Sequence, residues 1–170
     1  MSGREKENLI ADWLEEHKEE VVRTADYIFR HPETAYKEEL SSAYLASFLE
    51  ENGFRVEKKT AGIDTAFTAV WGEGRPVIGF LAEYDALPEL GHACGHNLLG
   101  TGAAAAACAL KAYMEKVGVA GILRVYGCPA EEIMSGKIVM NKAGVFDDLD
   151  IAVTWHPFDR NRVSNDIWQA

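Results

Sequence analysis

The stretch PVIGFLAEYD (residues 76–85) restricts what this chain can build more than any other. Its apolar residues do not alternate with polar ones, so a strand formed from it must be covered on both faces, as in the parallel sheets of α/β proteins. GILRVYGCPAEE (121–132) and DIAVTWHP (150–157) are read as further buried strands of the same kind. Between the first two runs lies an alanine-rich segment predicted to be a helix from about Leu98 to Lys116. Its small residues Gly100, Ala103, Ala104 and Ala107 would let it lie close on a sheet. Residues 135–143 read as a short helix between the second and third runs. Strand, helix, strand, helix, strand with one-helix crossovers predicts a parallel α/β sheet.

Upstream, Leu9, Ile10, Trp13, Leu14, Val21, Ala25, Ile28 and Phe29 recur at helical spacing and predict one amphipathic helix from Asn8 to Arg30, ending near HPET. A second helix is expected from about Glu38 to Glu51, with Gly53 placed to cap it. Short strands are expected at 55–59 and 65–71, with a turn at 72–74. At 170 residues and 48% hydrophobic, the chain is long enough for one domain, or for part of a larger one.

The net charge is −10, with acidic residues spread over the predicted helices. No basic patch is present, so nucleic acid is not an expected partner. No window approaches the ~20 apolar residues of a membrane span, and the N-terminus is charged from the fourth residue, so no membrane association is expected. Three cysteines without a CxxC pair suit a reducing compartment, and a cytoplasmic location is expected. Cys108 and Cys128 read as small core residues, His17 as a surface residue, and His31 as fixing a turn.

In open α/β sheets, sites form beyond the carboxyl ends of the strands. The first run ends in Glu83 and Asp85, the second in Glu131 and Glu132, the third in His156. GHACGHNLLG (91–100) falls in the loop after the first strand, at the start of the alanine-rich helix. Cys94, His96, carboxylates and His156 are ligand types for a borderline transition metal. In an extended loop Cys94 and His96, two apart, would point the same way. Glu131 and Glu132, adjacent at a strand end, would point to opposite sides, so that one could bind metal while its neighbour works on a water. His92 is expected to support the site and not to ligate. The pattern suggests metal-assisted hydrolysis. A rival reading makes Cys94 a nucleophile activated by the helix N-terminus and a nearby histidine, but it leaves Glu131, Glu132 and His156 unexplained.

Three segments, GFLAEYDALPELGHACGHNLLGT, YGCPAEE and AGVFDDLDIAVTWHP, together resemble the M20 metallopeptidase and amidohydrolase family, within it the subfamily with HxCGH. The resemblance runs from HPET nearly to the end of the chain. It implies an α/β fold, the N-terminal part of a mostly parallel-sheet, zinc-peptidase-like catalytic domain with helices on both faces. It makes Cys94, His96, Glu132 and His156 metal ligands and Glu131 the general base. Glu83 stands where other members carry a ligand histidine and Asp85 matches an orienting aspartate, so both are expected to support the ligands. A divalent metal is implied, two ions per complete site, whether Zn²⁺, Mn²⁺, Co²⁺ or Ni²⁺.

The activity implied is cleavage of the amide bond of an N-acyl amino acid or dipeptide-like substrate. Asn97, after CGH, leans the substrate toward p-aminobenzoyl-glutamate. Glu131 would take a proton from a water activated by the metal and pass it to the leaving amine. Family members are much longer, with a lid and dimerisation domain inserted after the HP motif and a returning C-terminal half. Residues 1–170 would then be the N-terminal portion of the catalytic domain without those parts. Alone, such a chain is expected to be inactive or weakly active, and in its longer form to be a homo-oligomer or partner subunit. The alternative is a non-catalytic metal-binding remnant or a partner subunit that needs another chain; Glu131, a base beside a ligand, favours the enzyme.

Overall fold

In a computed structural model describing residues 3–160, the chain runs α1 (Gly3–Glu16), α2 (Lys18–Arg30), α3 (Glu39–Glu51), β1 (Arg55–Lys58), β2 (Phe67–Glu73), β3 (Val77–Glu83), α4 (His96–Val117), β4 (Gly121–Cys128), α5 (Glu131–Met134), α6 (Gly136–Lys142) and β5 (Ile151–Val153). The five strands form one sheet in the order β1-β2-β4-β3-β5. The three runs recognised in the sequence make its parallel part, with β3 paired to both β4 and β5. β2 runs antiparallel to β4 and to β1, so the sheet is mixed. The short β1–β2 connection is the reason: a parallel return needs a crossover of a dozen or more residues, and this link holds only a 3-10 turn at Thr60–Gly62.

Period-two alternation divides the sheet between two cores. Phe80 and Ala82 of β3, with Leu123 and Val125 of β4, face Ile28, Leu45, Phe48, Leu49, Ala103, Ala104, Ala107 and Cys108 from α2, α3 and α4. Leu81, Tyr126 and Cys128 face the other way, toward Met140 of α6 and Phe146. Both faces of β3 and β4 are thus covered, as their unbroken apolar runs require. Cys108 and Cys128 are buried, and all three cysteines are free. Among the described residues no helix is long and apolar enough to cross a membrane.

Two expectations are corrected. The helix expected over residues 8–30 breaks at His17 (φ −103°, ψ 9°). The His17 ring stacks on Trp13 at 4.1 Å, and its Nδ1 lies 2.9 Å from the Trp13 carbonyl oxygen, competing with the helical ladder. His17 therefore shapes a kink and is not simply a surface residue. The third run is not buried: β5 is three residues long, on the sheet edge, with Ile151 48% and Val153 39% exposed. Its apolar residues lack a neighbouring strand on the outer side among the described residues. His31 does close a helix end, with Nδ1 2.7 Å from the Tyr27 carbonyl oxygen.

α4 sits where the small residues allow. A Cβ on Gly100 would run into the carbonyl oxygen of Glu83, so the helix start can approach the end of β3 only without a side chain there. Gly100→Val is expected to cost about 3 kcal/mol by overpacking against a backbone atom that cannot yield. A thermal melt should show Tm lower by roughly 10 °C, and a change of only about 2 °C would mean that the helix does not sit so close.

Candidate metal centre

The site begins with Asp85, two residues past β3. The wholly buried His96, first residue of α4, sends its Nδ1–H to Asp85 Oδ1 at 2.9 Å. The backbone N–H of Glu132 donates to the other oxygen, Oδ2, at 3.0 Å. Burial works against the Asp85 charge, but these hydrogen bonds and the His96 charge hold its pKa below the usual carboxylate value. One carboxylate thereby fixes both the imidazole and the turn that carries the two glutamates. With Nδ1 engaged, the free lone pair of His96 is on Nε2, which is buried and has no hydrogen-bond partner.

Around that nitrogen the other candidates gather. Glu83 Oε2 is 3.3 Å from it and Glu132 Oε1 is 3.7 Å away, the latter also buried without a hydrogen-bond partner. Donor atoms of Cys94, His96 and His156 lie within 4.8 Å of one another, as do those of Glu83, His96 and Glu131. Cys94 Sγ is 3.5 Å from His156 Nε2. His156 arrives because the segment after β5 crosses α4: Trp155 Nε1–H donates to the Leu99 carbonyl at 3.2 Å, and the ring lies against Gly102.

Local geometry departs from the simple picture in three places. The 94–96 loop is not extended, since Gly95 turns in the left-handed region (φ 82°) and His96 is already helical. Glu131 and Glu132 are not on opposite sides of a strand end but on one turn of helix, so they point about 100° apart. Glu83, expected behind the ligands, reaches the cluster as directly as they do. His92 lies behind the loop, buried, its pKa lowered chiefly by burial.

The electrostatics answer the cysteine-nucleophile reading. Burial, then Glu132, Glu131 and Glu83, push the Cys94 thiol up to about 12. Nucleophilic cysteines need the reverse, an electropositive setting. A divalent cation would invert this logic, deprotonating the thiol and neutralising the carboxylates. An orphaned imidazole nitrogen among a thiol, a second histidine and three carboxylates fits a divalent metal on donor chemistry.

Two residues went unnoticed in the sequence. Lys137 of α6 ion-pairs with Glu83 Oε1. Glu38 is wholly buried, and accepts hydrogen bonds from Thr65 Oγ1 at 2.9 Å, Tyr36 N at 3.0 Å and Ala130 N at 2.9 Å. Its pKa is raised by burial in spite of those bonds. Ala130, in the left-handed region at φ 59°, precedes Glu131, so Glu38 helps hold the glutamate turn. In sequence it is one acid of a pair at a helix start, where acids are ordinarily solvated.

No family model matches the sequence. The fold is that of the M20 peptidases: a dinuclear metal binding peptidase of that family from Bacillus subtilis superposes with a TM-score of 0.67 at 24% identity, over 78% of this chain and 41% of that one. An aminobenzoyl-glutamate utilization protein from Klebsiella pneumoniae gives 0.68 at 19% identity, over 85% and 45%. By sequence the chain resembles the N-terminal part of a subunit of the p-aminobenzoyl-glutamate hydrolase of Escherichia coli, 47% identical over 165 residues, covering 87% of this chain and 34% of that protein. The Xaa-Arg dipeptidase of Mus musculus is 37% identical over 164 residues, 89% of this chain and 38% of the other. The chain thus spans little more than a third of the length of these curated relatives.

Proposed function

We propose that this chain carries the metal-binding part of an amidohydrolase that cleaves the amide bond of N-acyl amino acids, with p-aminobenzoyl-glutamate as the candidate substrate. The observation that carries the reading is His96 Nε2, buried, unpartnered and backed by Asp85. Cys94, His96, Glu132 and His156 would hold the metal, and Asp85 and His92 would support them. Bound there, a divalent ion such as Zn²⁺, Mn²⁺, Co²⁺ or Ni²⁺ would polarise the scissile carbonyl and bring a water's pKa from 15.7 to roughly 7. Glu131 takes the proton of the attacking water at its carboxylate and delivers it to the departing amine nitrogen. A second ion in the complete site is supported by the dinuclear relative.

The relatives' length supports reading the chain as the N-terminal portion of such a catalytic domain, with slow turnover by itself. The Escherichia coli relative is one subunit of its hydrolase, which supports a second reading in which a further chain completes the site. A cytoplasmic location suits the three free thiols.

The test is metal uptake by the chelator-stripped chain, with Cys94→Ser beside the parent. Loss of the thiolate should weaken Zn²⁺ binding by at least ~10-fold. Equal affinity would remove Cys94 from the ligand set, and hydrolysis of p-aminobenzoyl-glutamate untouched by chelator would end the metal mechanism.

A further inference from the structure

The two oxygens of Glu83 have different neighbours. Oε2 faces His96 Nε2 at 3.3 Å, while Oε1 is ion-paired with Lys137 Nζ. The lysine reaches this point through a built turn. The N–H of Gly136 donates to the Pro129 carbonyl at 3.0 Å, and a Cβ at 136 would collide with that same oxygen. Only a residue without a side chain lets α6 start so close to the end of β4, which sets Lys137 over the end of β3. The pair is sheltered: the Lys137 side chain is 26% exposed and that of Glu83 7%. Ion pairs of the other lysines and arginines among the described residues lie away from the cluster.

A carboxylate with one oxygen committed to an ammonium cannot close on a metal with both, and part of its charge is already answered. The loss matters unequally among metals. Mn²⁺ is served by carboxylate oxygen, whereas Zn²⁺ is well served by thiolate and imidazole. We propose that Lys137 is a positioning and specificity residue, which holds one oxygen of Glu83, keeps that carboxylate out of the ligand set, and biases the centre toward ions that prefer Cys94, His96 and His156. This rests on the reading of the cluster as a metal centre.

The experiment is a titration of the full 170-residue chain, stripped of metal, with Mn²⁺ followed by the EPR signal of the free ion and with Zn²⁺ in competition with a chromophoric chelator. Lys137→Met should bind Mn²⁺ about tenfold tighter relative to Zn²⁺ than the parent does, because a hard ligand has been released. Lys137→Arg, which keeps the charge, should hold the parental ratio. The double variant Lys137→Met with Glu83→Gln should lose the gain, a result that a general loosening of the fold would not give. An unchanged ratio in Lys137→Met, with the parent still taking up metal, overturns the inference and leaves the metal centre standing. If the parent chain takes up neither ion, the metal centre falls and the inference with it.

Discussion

Glu131→Gln is expected to lower amide hydrolysis by two to four orders of magnitude, the range found when a positioned general base is removed, and to leave metal uptake intact. The comparison is between parent and variant in the same polypeptide with p-aminobenzoyl-glutamate as substrate. Glutamine keeps the size of the side chain and an oxygen, so it can lie where glutamate lay, but it cannot accept a proton at neutral pH. The position it occupies is fixed from two sides. Ala130 N–H is bound by Glu38 at 2.9 Å and Glu132 N–H by Asp85 at 3.0 Å, so the peptide groups on either side of Glu131 are anchored to buried carboxylates. Pre-set geometry of this kind is what makes a proton acceptor effective. Parental turnover in the variant would transfer the base role elsewhere, with Glu132 the next carboxylate on the turn.

What the sequence reveals of this fold follows from how local each cause is. β3 and β4 are covered on both faces, so nearly every residue must be apolar and the pattern is plain in a single run. Gly100 and the alanines announce close approach of helix and sheet for the same reason. β5 misleads because the same apolar run at a sheet edge reads no differently from one in the middle; neighbours, not residues, decide its exposure. The break at His17 depends on a ring stacking on Trp13, a contact that helical periodicity cannot register. At the site, Cys94, His96 and the glutamate pair stand out by residue type at strand ends. Glu38 and Lys137 do not, because their meaning arises only when α3 and α6 are folded against residues 92 and 54 positions away.

His96→Ala is expected to weaken metal binding by more than ~100-fold, beyond the 10–100-fold typical of losing a supporting partner, because it removes the nitrogen on which the cluster converges. The pH dependence of binding in the parent provides an independent check, since metal must displace protons from these same atoms. Burial disfavours a charged His96, but the hydrogen bond and charge of Asp85, with Glu83 and Glu132, outweigh it and raise its pKa. Cys94 stays a thiol up to about 12 in the metal-free chain. Through the neutral range the apparent affinity should therefore fall about tenfold for each unit of pH lost, one proton being put back on sulfur. Below the pKa of His96 the fall should approach a hundredfold per unit, as a second proton competes.

The stability of the metal-free fold carries the opposite sign at His96. A raised folded pKa contributes stability that is full below the unfolded value and is lost as pH rises through the folded one. Metal stabilises the fold in proportion to the logarithm of its binding, which grows with pH. The gap in Tm between metal-loaded and stripped chain should accordingly widen as pH rises from acid to neutral. In His96→Ala that gap should shrink to little or nothing at every pH. A gap independent of pH would mean that the metal sits on groups other than a protonated thiol and imidazole, and the ligand set would have to be redrawn around the carboxylates alone.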